Sequence, residues 1–425
     1  MENFKKDNHT LKHILYLTLS AELIFVVYSY TFFSINHRLP HPFFYNSADT
    51  FMDFFNPNYW ANFSQRFTDW ASVYPPLIFV ISKAISLSAC NFITDIINYR
   101  ECSISSIYLI FFSGIFGSIV CSVATVKSIT GNKDTKLIIF LTIAYFFSLP
   151  SLFALERGNY ILLAFVLLSF WSYFKNNLLR AFFLALAINI KPYLILFSLA
   201  FFLKKQFTFL ACLITLTLLI YFTTAEILND PNHYLILRNI LNFSSNSKIN
   251  ILEILAYPSS IFTFFYPLRE AFPNFTNVFL FLKILLLAIS AIFFIVFISN
   301  NYKAMSVEHI CFFILLALLI FSNSAGGYGL ILLYPFIPHI YNSCFNQNKF
   351  LFYALIFTFT PLDFDIYSSP KHVLHYFSFL GDKFVSFPAT ISIGGLIRPL
   401  ILFAAFITFC KSHSTSLRLR KDFSA

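Results

Sequence analysis

The sequence predicts an all-α membrane protein, a polytopic bundle of about ten transmembrane helices. Three observations lead there. Of 425 residues, 58% are apolar and 11% charged, whereas a soluble domain carries about 25% charge. Apolar runs of spanning length recur from end to end, so 1–425 reads as a single membrane domain, not a soluble domain with an anchor. The basic residues fall mostly on one side of the implied bundle, as the positive-inside rule requires.

Taken in order, the run 14–33 is too long for a signal-peptide core and is followed by no small-residue cleavage site. It reads as a retained first span. Full spans are expected near 13–34, 104–128, 136–154, 158–174, 207–224, 276–299, 306–321, 328–342, 349–361 and 390–410. The stretch 180–203 is different. It lies between Lys175 and Arg180 on one side and Lys204 and Lys205 on the other, with Lys191-Pro192 at its middle. Proline interrupts the helical bond ladder, so the stretch reads as a re-entrant hairpin of two half-helices, tolerated where it lines a cavity.

This arrangement puts both termini in the cytoplasm, with 1–12 as the N-terminal segment and 411–425 as a basic tail lying on the inner surface. The cytoplasmic segments then hold Lys5, Lys6, Lys12, Lys127, Lys133, Lys136, Arg418, Arg420 and Lys421 among others. Their acids are only Glu2, Asp7, Asp134, Glu308 and Asp422. The net charge of +10 is thereby explained by topology, and a nucleic-acid partner is not needed. Seven cysteines, Cys90, Cys102, Cys121, Cys212, Cys311, Cys344 and Cys410, make no CxxC pair. Most sit in apolar runs, so neither a disulfide framework nor a zinc site is expected.

The polar chemistry gathers in three long outer segments, 35–103, 225–275 and 362–389. In the first, Asp49 and Asp53 are four apart and would share a helix face. Burial among the neighbouring aromatics would make such a carboxylate a stronger general base, although capping acids are also common in loops. Asp49, the first acid after span one, is marginally preferred. Tyr74-Pro75-Pro76-Leu77 then leads an apolar stretch to about residue 87, interrupted by Lys83. It is short for a span and reads as an interfacial helix on the outer leaflet. Arg157 stands at the outer end of a span, beside Glu156 as a potential ion-pair partner. Asn159 opens the next span, free to bond a ligand hydroxyl or a neighbouring helix. Lys191, at the hairpin tip, is costly there unless it meets a partner or a watery cavity.

In order and spacing, the acid after span one, Tyr74-Pro75-Pro76-Leu77, Gly158-Asn159 and Lys191-Pro192-Tyr193 resemble the polyprenyl-phosphate-sugar glycosyltransferases of family 87. These belong to the GT-C group of membrane glycosyltransferases. The resemblance covers roughly 40–205, and Glu156-Arg157-Gly158-Asn159 stands where the family commonly shows Gly-Gln-x-Asn. It implies a GT-C fold in a bacterial inner membrane and transfer of a mannose-like hexose from a polyprenyl-phosphate donor to a glycolipid or glycan on the periplasmic face. It also implies an Asp base in the first outer loop, with no cofactor and no metal. Arg157 and Lys191 would meet the leaving phosphate, and Tyr74 and Asn159 the substrate.

Two later features invite weaker readings. Gly326-Gly327-Tyr328-Gly329 suits close helix packing or, secondarily, a backbone anion nest. His372 and His375 in the last outer loop, near Asp363, Asp365, Asp382 and Lys383, are candidate phosphate contacts in what reads as a solvated loop. A flippase or transporter of lipid-linked sugars is the main rival function, and a saccharide polymerase the second. A transporter would show paired broken helices in both halves, and only one is visible.

Overall fold

A computed structural model describes residues 2–36, 39–40, 42–43, 50–86, 90, 93, 95–131, 134–246, 259–261, 272–321, 327–344, 349–358, 360–361, 363, 365–368, 372–378, 381–387 and 390–422. Helix α1 (Glu2–Asn36) opens the chain. Four helices follow: α2 (Met52–Trp60), α3 (Pro76–Ile85), α4 (Ile96–Ser103) and the long α5 (Tyr108–Thr130). Pro76 is the first residue of α3, where its missing N–H costs nothing. Asp95 caps α4 by accepting from the Asn98 amide. Gly131 closes α5 in the left-handed conformation, φ 70°.

The next two helices, α6 (Thr135–Phe147) and α7 (Leu149–Arg157), meet at a 51° bend. Pro150 lies just past the break, and the Tyr334 hydroxyl donates to Ser148 there at 2.8 Å. After α8 (Ile161–Tyr173) and α9 (Asn177–Ile188) the chain turns at Lys191 into a 3-10 stretch, Pro192–Phe197, and the short α10 (Ser198–Leu203). The expected hairpin broken at Pro192 is therefore present. Then come α11 (Phe207–Ile227), the amphipathic α12 (Ile236–Asn246), α13 (Thr276–Asn301) and α14 (Val307–Phe321). A buried 3-10 stretch, Gly327–Phe336, leads to α15 (Ile337–Cys344), α16 (Lys349–Phe357) and, last, α17 (Ile393–Asp422).

Among the described residues, five helical segments are long and apolar enough to cross a membrane: Tyr16–Asn36, Asn98–Thr130, Phe207–Ile227, Asn277–Asn301 and Ile393–Ser412. The bent α6–α7 pair would make a sixth. The runs expected as full spans at 158–174 and 306–321 are the shorter α8 and α14, most residues of which are buried inside the bundle. A helix apolar all round is an interior helix, and hydropathy alone does not separate it from a lipid-facing one. The run 328–342 is 3-10 backbone followed by α15, and 349–361 yields only α16.

At the core α8 packs against α5, α9 and the Gly327–Phe336 stretch. Gly117 on α5 lets α8 approach, because a Cβ there would meet the Phe165 ring at 2.5 Å. Gly329 serves the same purpose against Leu319, at 2.7 Å, which favours the packing reading of its motif. Gly326 of that motif lies outside the described residues.

The segment 362–389, read as a solvated loop, carries strand backbone. Strand β1 (Asp365–Ser368) pairs antiparallel with β4 (Thr390–Ser392), and β2 (His372–Ser378) with β3 (Gly381–Phe387), two nested pairs. A disulfide, Cys90–Cys102, corrects the expectation that no cysteines pair. Its halves are twelve positions apart, with no motif to mark them.

Candidate functional site

The site begins where α2 docks on the end of α7. Gly158 takes φ 63° and closes α7. A Cβ on Gly158 would sit 2.9 Å from the Phe54 Cβ and 3.1 Å from the Phe51 Cα. Glycine is thus required twice, for the left-handed turn and for the close approach. Phe51, itself at φ 63°, donates its amide to the Glu156 carbonyl at 2.8 Å. Thr50 donates to the Glu156 carboxylate at 3.4 Å. Glu156 is therefore engaged by Thr50 and Phe51, just ahead of α2, a partner the sequence did not suggest.

This docking brings Asp53, on the first turn of α2, against the α7–α8 junction. Arg157 donates to Asp53 Oδ1 at 2.9 Å, and Asn159 Nδ2 donates to Asp53 Oδ2 at 2.6 Å. The Asn159 side-chain oxygen accepts the Ile161 amide at 2.9 Å. That bond fixes which way the amide points, so its NH2 group faces the carboxylate. Asp53 is held by two donors on separate oxygens, and each oxygen keeps a lone pair for a third partner.

A cavity of about 710 Å³ opens beside this pair. Asp53, Tyr74, Asn159 and Lys191 all line it, although they lie far apart in sequence. Arg157 does not line it and stands behind Asp53. Lys191 reaches the cavity from the turn between α9 and Pro192–Phe197, its Nζ 5.5 Å from the centre of the Tyr74 ring. Burial pushes the Tyr74 phenol well above the usual tyrosine range, the Asp53 charge and Tyr328 add to that, and Arg157 opposes it. Tyr74 is therefore a neutral hydrogen-bond donor at ordinary pH.

The remaining walls were not anticipated. Ile190, Ile195, Leu237 and Ile240 make an apolar flank, two from the broken hairpin and two from α12. Trp60, Trp70 and Asn56 line another part, and Tyr328 a further one. Tyr328 stacks on Phe153, ring centres 5.8 Å apart. An amphipathic pattern in α12 was the available signal for the apolar flank. Nothing distinguished Trp60 and Trp70 in a chain with 60 Phe and 23 Tyr.

Asp49 lies outside the described residues. His372 and His375 fall on β2, opposite Phe387 and Phe384 in register, and only their backbone is described. Among the described residues no group of three or more His, Cys, Asp or Glu is placed to hold a metal ion. Comparison with family models, curated proteins and solved structures returns no match to this chain.

Proposed function

We propose that this protein is a membrane glycosyltransferase of the GT-C type, taking a hexose from a polyprenyl-phosphate carrier on the non-cytoplasmic face. The observation that carries this reading is the meeting of Asp53, Asn159, Tyr74 and Lys191 around one cavity whose further flank is apolar. Such a cavity offers a fixed carboxylate and a cation beside a surface fit for an isoprenoid chain.

In the reaction, an acceptor hydroxyl gives its proton to Asp53 as its oxygen attacks the anomeric carbon. The bond from that carbon to the phosphate oxygen breaks, and polyprenyl phosphate leaves with the electron pair. Asp53 ends protonated and later returns the proton to water. Arg157 and Asn159 hold the carboxylate in line, which a general base requires. Lys191 offsets the charge growing on the leaving phosphate, with the Tyr74 hydroxyl available as a neutral donor. The short buried helices α8 and α14 are read as inner spans, completing a polytopic domain with cytoplasmic termini. The Cys90–Cys102 disulfide supports putting 35–103 on the oxidising side.

The test is sugar transfer by purified protein from synthetic polyprenyl-phosphate hexoses to a lipid extract, read by mass spectrometry. Asp53→Asn is expected to lower the rate at least about a hundredfold while polyprenyl phosphate still binds. Asp49→Asn, assayed beside it, decides between the two acids, since the variant that loses transfer carries the base. Full transfer by both variants would remove the mechanism. Movement of lipid-linked sugar across proteoliposomes without transfer would replace the enzyme with a transporter.

A further inference from the structure

One wall of the cavity has no part in the transfer step. Trp60 ends α2, and Trp70 follows the 3-10 turn Ser64–Phe67. Their indoles stack on one another, 15° apart with centroids 5.6 Å distant, with Tyr59 and Phe63 also against Trp70, and both tryptophans are half-buried and line the cavity. Tryptophans that serve only as core are covered, and those of a membrane belt turn to the headgroups. This pair faces the space that also holds Asp53.

The wall is rigidly held. Arg66 pairs with Asp230 at 2.7 Å, both side chains buried, and its guanidinium also donates to the carbonyls of Trp60 and Ala61. Asn239 on α12 donates to the carbonyls of Phe67 and Ser72 at 2.9 and 3.1 Å. Both ends of 60–72 are therefore clamped from one later segment. Between the clamps Ala71 takes φ 44°, a conformation a residue with a Cβ rarely adopts and keeps only where its surroundings impose it. The indole surface that this stack leaves on the cavity, set in place before a ligand arrives, suits a ligand that is itself flat on one side. A pyranose is such a ligand: its C–H face carries partial positive charge and the indole face partial negative.

We infer that Trp60 and Trp70 form the acceptor subsite and take a saccharide ring, so the acceptor is the end of a glycan and not a protein side chain. This rests on the transferase reading for the role of acceptor, and the binding itself does not depend on it.

The test reads tryptophan emission from the full-length protein in detergent. The chain has three tryptophans, and Trp171 is wholly buried in the bundle. A saccharide-dependent change thus reports on the cavity pair. Soluble trisaccharides of mannose, glucose and N-acetylglucosamine are titrated, with a Ser/Thr-rich peptide alongside. At least one trisaccharide is expected to give a saturable change and the peptide none. Trp70→Ala, and Trp60→Phe as a variant that keeps a ring, are each expected to weaken that trisaccharide about tenfold or more with an unaltered melting temperature. Sugar-free polyprenyl phosphate, followed by native mass spectrometry, is expected to bind together with the trisaccharide.

The inference is overturned if no trisaccharide changes the emission, if the variants bind as well as the parent, if the peptide gives the change, or if polyprenyl phosphate and trisaccharide exclude each other. Saccharide binding without any transfer would keep the subsite and sink the transferase. Transfer without saccharide binding would do the reverse.

Discussion

Gly158 concentrates the local chemistry of the site in one backbone position. Its left-handed turn ends α7, and the space left by its missing side chain is filled by Phe51 and Phe54 of the segment that carries Asp53. A methyl group there would be strained at φ 63° and would push α2 away from Arg157 and Asn159. Gly158→Ala is expected to cost about 1–3 kcal/mol of stability, seen as a lower melting temperature. Activity is expected to fall further than stability, since Asp53 would lose its aim. Gly158→Asn separates the two causes. Asparagine tolerates the left-handed region but still adds a Cβ. An Asn variant as stable and active as the parent would show that the turn matters and the close contact does not. The sequence motif Gly158-Asn159 thus had a physical basis that could be read in advance only in part. Asn159 was expected to bond either a ligand or a neighbouring helix, and it bonds the Asp53 carboxylate.

At the scale of elements, the segment that carries α2, α3 and α4 is tied down from several directions. Arg66 and Asp230, 164 residues apart, hold it to the end of α11. Asn239 holds it to α12. The Cys90–Cys102 disulfide fastens the far side of α3 to α4. No pattern reveals such ties, because each joins two residues distant or unremarkable in sequence and depends on the fold to bring them together. The short amphipathic helix after Tyr74-Pro75-Pro76 was legible, since proline chemistry and apolar spacing are local signals, and α3 starts at Pro76. Reducing the disulfide is expected to lower stability by about 3 kcal/mol, the chain-entropy value for closing a loop of roughly this length. Thermal unfolding with and without a thiol reductant checks it, with Cys90→Ser/Cys102→Ser as the control. That double variant should melt low and ignore reductant. A parent protein that melts at one temperature in both conditions would mean the bridge is not formed or not stabilising.

For the whole molecule, composition alone identified a membrane-embedded helical bundle, because so apolar a chain has no other solvent to fold in. The number of crossings was less legible. Interior helices such as α8 and α14 are as apolar as lipid-facing ones, and only packing tells them apart. Orientation is an expectation from the charge pattern alone, and it is the property on which the proposed chemistry most depends. A polyprenyl-phosphate sugar used outside the cell requires Asp53, Tyr74 and Lys191 to sit at the outer level. Gln65, exposed between α2 and α3, and Lys205, exposed just past α10, are expected to mark the two sides. The native cysteines include Cys121, Cys311 and Cys410, all buried, so the background from these is low. In intact cells a membrane-impermeant maleimide is expected to label Gln65→Cys and not Lys205→Cys, measured against the parent chain. Permeabilised cells should give label at both. The reverse pattern would place the cavity on the cytoplasmic side, where nucleotide-activated sugars are the available donors. A lipid-linked donor would then have no advantage, and the apolar flank of Ile190, Ile195, Leu237 and Ile240 would need another occupant.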